Sequence, residues 1–197
     1  MKVAQLSGSL RTNVGKKDAK ALRNEERVPC VLYGQGTQTH FSAKKIDIER
    51  LVFTPEVYQV EIDVDGKKSK AIIKDLQQDP IRGTVRHIDF YELDDKKPVK
   101  VGLPVRLTGA SRGVLAGGKL LQVFRKLTVV GLPNALPEAI TIDITKLRIG
   151  QSIRVGAVET EEMKFLEAKN AVVVSVKMAR GAAKGADADP EEDEAED

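Results

Sequence analysis

The sequence predicts a mainly β protein with short helices, of the α+β class: a small closed barrel, a second β-rich half and an acidic tail. Three observations carry this. Six short β-prone runs, separated by glycine and proline turns, fill the first 94 residues with only two helix-like segments among them. A polar break closed by a proline, Asp94–Pro98, separates them from a second set of β-prone runs. After Met178 the chain turns to Ala, Gly and acidic residues, a composition that buries nothing. The expected organisation is therefore residues 1–94, 95–178 and a disordered tail, 179–197.

In the first part, Val3–Arg11 reads as a strand ending at the polar turn Thr12-Asn13. A short basic helix follows from Lys16. At about 100° per residue, Lys16, Lys20 and Arg23 fall within roughly 60° of one another, with Ala19 and Leu22 beside them toward a core. Pro29 argues against the helix reaching Arg27, because the residue before a proline is pushed out of helical geometry. Val28–Tyr33 is an apolar strand running into the Gly34-Gln35-Gly36 turn, and Thr37–Ala43 is the next. Asp47 is placed to cap a short helix through Phe53, with Ile48, Leu51 and Val52 at helical spacing and Pro55 as the stop. Val57–Val64 alternates, Asp65-Gly66 is a tight hairpin turn, and Lys67–Leu76 returns. Val85–Leu93 closes the set.

In the second part, Val99–Leu107 reads as a strand and Gly109–Gly118 as a glycine-rich crossing. Leu120–Leu132 reads as one or two strands. Ala139–Ile144, Ile153–Val158 and Ala171–Lys177 are further strands, with a single turn at Thr145–Leu147.

Composition narrows the function. Of 197 residues, 41 % are hydrophobic, enough for a real core, but only 4 % are aromatic and none is Trp, which argues against an aromatic-lined ligand pocket. The single cysteine, Cys30, cannot form an internal disulfide and sits in an apolar strand as a small core residue. The N-terminus lacks an apolar leader core and no run approaches the roughly 18 apolar residues of a membrane span, so a soluble, cytoplasmic chain is expected. The net charge of +3 hides an asymmetry. Eight acidic residues and no basic ones follow Lys184; setting them aside leaves 32 Lys and Arg against 21 Asp and Glu, a body of +11. Such a body suits a polyanionic partner.

His87-Ile88-Asp89-Phe90 is the most informative short motif. On a strand, Ile88 and Phe90 enter the core while His87 and Asp89 are displayed together. A hydrolytic reading lacks a nucleophile: no Gly-x-Ser-x-Gly elbow is present, and Cys30 is buried by its neighbours. Two readings stand: a pair that contacts base edges, phosphate or ribose, and a surface pair that only packs and hydrates. Tyr33 likewise either stacks on a base or ribose or is a half-buried barrel tyrosine. Two histidines and one cysteine without compact spacing do not make a metal site. Gly113–Lys119 lacks the phosphate-loop pattern because Leu120 follows the lysine.

Arg11, Gly15-Lys16, Lys20, Leu22-Arg23, the run Val28-Pro29 through Tyr33-Gly34, Ile73-Lys74-Asp75 with Gln77 and Pro80, and His87–Phe90 stand in one order. That order resembles the bacterial large-subunit ribosomal protein L-twenty-five family. Leu136-Pro137, Ile140, Asp143, Leu147 and Ile149-Gly150 extend the resemblance to its long, CTC-type (general stress protein) members, so that all but the tail is covered. The resemblance implies a six-stranded barrel that binds 5S rRNA at loop E through the minor groove and backbone. By position it implies RNA-binding roles for Arg11, Lys16, Lys20, Arg23, Tyr33, Gln77, His87 and Asp89. Where members often carry arginine, Lys20 keeps the charge without the planar fork.

The expectation is thus a non-enzymatic constituent of the large ribosomal subunit. Its partners would be 5S rRNA, other ribosomal proteins and, as a further candidate, 23S rRNA; no catalytic residue, metal, cofactor, small-molecule substrate or membrane is implied. The rival is a stress-related or assembly module whose second domain carries the main function through protein interactions.

Overall fold

A computed structural model describes residues 1–158 and 163–178 of the chain. The expected disordered tail, 179–197, lies outside the described residues. The described residues fall into two compact units. The first holds Met1–Pro104, Lys126–Ile140 and residues 163–166; the second holds Val105–Arg125 and residues 141–158 and 167–178.

Six strands build the barrel: β1 (Lys2–Leu10), β2 (Arg27–Gly34), β3 (Thr37–Lys44), β4 (Tyr58–Val64), β5 (Lys67–Gln78) and β6 (Val85–Glu92). Their order is β1-β3-β2-β6-β5-β4, and β4 pairs back onto β1 to close it, which leaves no open edge. The pairs β1–β4 and β2–β6 are parallel; the rest are antiparallel. Alternation sends Cys30, Leu32, Phe41, Val60, Ile62, Ile88 and Phe90 into the interior, where the rings of Phe41 and Phe90 lie 5.8 Å apart. Two hairpins close through two-residue turns with both residues at positive φ: Gln35-Gly36 (46° and 84°) and Asp65-Gly66 (50° and 86°). Those turns match the strand twist, and glycine takes the second position without a steric cost.

Helix α1 (Lys16–Asn24) connects β1 to β2, and α2 (Lys45–Val52) follows β3. Ile48 of α2 is fully buried in the barrel core. The capping role expected of Asp47 is not realised. The helix starts at Lys45, with Lys44 rather than Asp47 at the cap position and no side-chain cap; Asp47 lies in the first turn, where its charge meets the positive end of the helix.

Beyond the barrel, β7 (Val99–Thr108) is followed by a short helix α3 (Arg112–Leu115), inside the stretch expected to be a plain glycine-rich crossing. Leu120–Leu132 divides into β8 (Gly118–Gln122) and β9 (Lys126–Gly131). After β10 (Ile140–Asp143), the strand expected over Ile153–Val158 is only β11 (Ser152–Arg154), which gives way to a 3-10 turn at Val155–Ala157. A short β12 (Lys164–Phe165) and β13 (Val172–Met178) complete the described chain. These strands form two sheets, of order β10-β7-β9-β12 and β11-β13-β8. Among the described residues no helix is long and apolar enough to cross a membrane.

Candidate nucleic-acid interface

The candidate site is built on the outer surface of β6 and its two neighbours. With Ile88 and Phe90 inside, His87, Asp89 and Tyr91 point outward. Register then selects their companions. On β5, Gln77 stands opposite His87 and Asp75 opposite Asp89; on β2, Tyr33 stands beside Tyr91. His87 Nδ1 lies 2.9 Å from Asp89 Oδ1, an ion-pair distance without the alignment of a hydrogen bond, and the side chains are 23 % and 34 % exposed. Tyr33 and Tyr91 meet edge to face at 5.9 Å. Burial first, then the carboxylates of Asp89 and Asp75, push the Tyr33 phenol above its ordinary range, so at neutral pH it is a protonated donor.

A bulge at the start of β6 brings cations to this patch. Gln77 opposes His87 but Gln78 opposes Val85, leaving Arg86 with no partner on β5. Strict alternation back from Ile88 would bury Arg86 and expose Val85. The bulge reverses both: Val85 is buried and Arg86 faces solvent.

Helix α1 docks here. It has no fully buried residue; Ala19 and Leu22 are half-buried, and two polar ties hold it. Arg11 gives two bonds to Asp18 Oδ2, from Nε at 3.1 Å and Nη2 at 2.5 Å, and Arg23 Nε donates to the Arg86 carbonyl at 3.1 Å. Lys16, Lys20 and Arg23 thereby join Lys45, Arg82 and Arg86 around a groove of about 410 Å³ that also includes Asp79. Burial first, then the neighbouring cations Arg86 and Arg11, push the Arg23 guanidinium below its ordinary range.

The structure thus brings together Lys16, Lys20 and Arg23 in the groove, and Tyr33, Gln77, His87 and Asp89 on the face, linked through the Arg23–Arg86 bond. Arg11 stands apart: its side chain is 8 % exposed and faces Asp18. Arg27 is also committed. The chain turns at Glu26 (φ 56°), and the Arg27 guanidinium bonds the Ser42 hydroxyl and carbonyl and the Ser9 hydroxyl. Lys45, Arg82 and Arg86 were not among the sequence-selected residues. Their only signal was local charge, which says nothing of where a bulge or a turn will point it.

Fold and site together define a class: a small β-barrel protein with a cationic groove beside a polar, hydrogen-bonding outer face. The chain belongs to the ribosomal L25p family: residues 6–90 match that family, and residues 98–180 match the C-terminal domain of ribosomal protein TL5. It is 43 % identical over 193 residues to the large ribosomal subunit protein bL25 of Phocaeicola vulgatus, covering 94 % of this chain and 97 % of the relative. It is 44 % identical over 188 residues to that of Porphyromonas gingivalis, with the same coverage. To that of Christiangramia forsetii it is 41 % identical over 182 residues, covering 91 % of this chain and 83 % of the relative.

Proposed function

We propose that this chain is a structural constituent of the large ribosomal subunit that binds 5S rRNA at loop E, with residues 1–94 as the RNA-binding domain. The observation that carries the reading is the Arg23–Arg86 bond, which fixes the cationic groove against the strand that displays His87 and Asp89. Lys16, Lys20 and Arg23 neutralise phosphates and set register. Gln77, His87, Asp89 and Tyr33 meet base edges and 2′-hydroxyls in the wide minor groove of a distorted RNA helix. Arg11 serves the same site from behind, by holding α1 in place through Asp18. The relatives' name, large ribosomal subunit protein, supports the placement in the ribosome, which in bacteria is cytoplasmic.

The test is titration of a 5S fragment over a salt series. Lys16→Ala with Lys20→Ala lowers the slope of log K against log salt by roughly 0.7–0.9 per cation that meets a phosphate. Asp89→Ala leaves that slope in place and loses the preference for loop E over a plain duplex. An unchanged slope in the first variant and unchanged preference in the second would sink the reading.

A further inference from the structure

We infer that the Pro80-Ile81 tip of the β5–β6 loop is an apolar wedge that packs against a base or ribose of the RNA lying in the cationic groove. The inference rests on the RNA-binding reading above and adds to it a contact that charge does not supply. Ile81 is 93 % exposed.

The frame that holds it out is closely bonded. Asp79 N–H donates to the Thr84 carbonyl and Gly83 N–H to the Asp79 carbonyl, each at 2.8 Å. Asp79 Oδ1 accepts from the backbone N–H groups of Ile81 and Arg82, at 3.0 and 3.1 Å. Its other oxygen lies 3.6 Å from Arg86 Nη1. These backbone bonds, the Arg82 amide first, hold the Asp79 carboxyl below the usual carboxylate range, so the frame stays charged and intact at neutral pH. The loop is closely bonded, and the isoleucine stands out from it into solvent, between Asp79 and Arg82, which line the groove.

The neighbours of the tip say what that is. Asp79, Arg82, Thr84 and Arg86, the residues that frame the tip, also line the groove with Lys16 and Lys20. An occupant of the groove that continues past Arg82 to Ile81 lies along several cations at once. It must offer regularly spaced negative charge beside flat apolar surface, which is the combination of a nucleic-acid strand. Apolar side chains set between cations are a known way to press against or part the stack in a minor groove.

The experiment uses the full chain and a 5S fragment carrying 2-aminopurine near loop E, titrated at several salt concentrations. Ile81→Ala binds about tenfold more weakly, the loss of a partly buried isoleucine contact, and Ile81→Asp more weakly still. Both give salt plots parallel to wild type, because no counterion is displaced by an apolar contact. Arg82→Ala instead flattens the plot. The 2-aminopurine signal that wild type raises on binding falls in the Ile81 variants, whose melting temperatures match wild type. Full affinity of Ile81→Asp beside a flattened plot for Arg82→Ala would overturn the wedge while leaving RNA binding in place. So would an Ile81 variant that binds RNA normally but is lost from purified large subunits, since the tip would then meet a protein. A wild-type chain that binds no RNA would end both readings.

Discussion

Arg11 is the residue where sequence position and structural setting assign different work, and the Arg11–Asp18 pair allows the two to be separated. Both bonds run to a single carboxylate oxygen, with the guanidinium almost enclosed and Asp18 one-third exposed. Hydrogen bonds to charged groups contribute about 1.5–3 kcal/mol and exposed ion pairs 0.2–1 kcal/mol; with the guanidinium enclosed but Asp18 partly exposed, this pair falls at the low end of the first range, about 1.5–2 kcal/mol. Helix α1 has no fully buried residue to share that load. Its opening is a local event, separate from unfolding of the barrel. Arg11→Ala and Asp18→Ala should therefore each speed hydrogen exchange at the amides of Ala19 and Glu25, which bond to Gly15 and Ala21, by roughly ten- to thirtyfold. The double variant should be no worse than Arg11→Ala, which already loses the pair together with the longer 3.4 Å bond from Arg11 to the Asn13 carbonyl. RNA affinity should fall by a similar factor in both singles, measured by the same titration. Tighter RNA binding by Asp18→Ala would refute this reasoning, because it would mean that releasing Arg11 supplies a phosphate contact.

Two further outcomes follow from the barrel. Burial pushes the Cys30 thiol up to about 12, against an ordinary value near 8.5, so it stays protonated in the fold. Iodoacetamide at pH 9 should leave the native chain unlabelled and label it fully in denaturant; native labelling would contradict the burial. Since the folded value is the raised one, its contribution is complete below about pH 8.5. Stability should then fall by about 1.4 kcal/mol per pH unit as pH rises toward 12, read from denaturant melts. Gly34→Ala would set a Cβ 2.7 Å from Glu92 Cβ, at φ 155°. That overpacking should cost about 1–3 kcal/mol in the same melts, and an unchanged midpoint would contradict a tight approach of Gly34 to Glu92.

Much of this fold was legible because its strands are half-buried. Alternation and turn residues placed the six barrel strands to within a residue or two, since Asp65-Gly66 and Gln35-Gly36 can close only tight hairpins. Period-two spacing likewise put His87 and Asp89 outside, and helical spacing grouped Lys16, Lys20 and Arg23. What stayed hidden depends on partners distant along the chain. The sequence shows that Arg11 and Arg27 are charged, but not that Asp18, Ser9 and Ser42 will occupy them. The helix α3 and the early end of β11 escaped for the same reason: short elements are set by what packs on them more than by their own propensity.

The bulge at Arg86 joins these two kinds of information. A residue opposed by nothing on β5, and placed before the β2 register begins at Ile88, needs a partner for its backbone carbonyl. Arg23 supplies it from α1. The same irregularity that turns the Arg86 side chain outward therefore creates the acceptor that seats the basic helix beside the His87–Asp89 face. Groove and face keep a fixed spacing because a backbone group of the strand requires it, so the spacing is set before any polyanion arrives. Preorganisation of that kind favours a folded RNA of one shape over a flexible strand, whose phosphates would have to be ordered on binding.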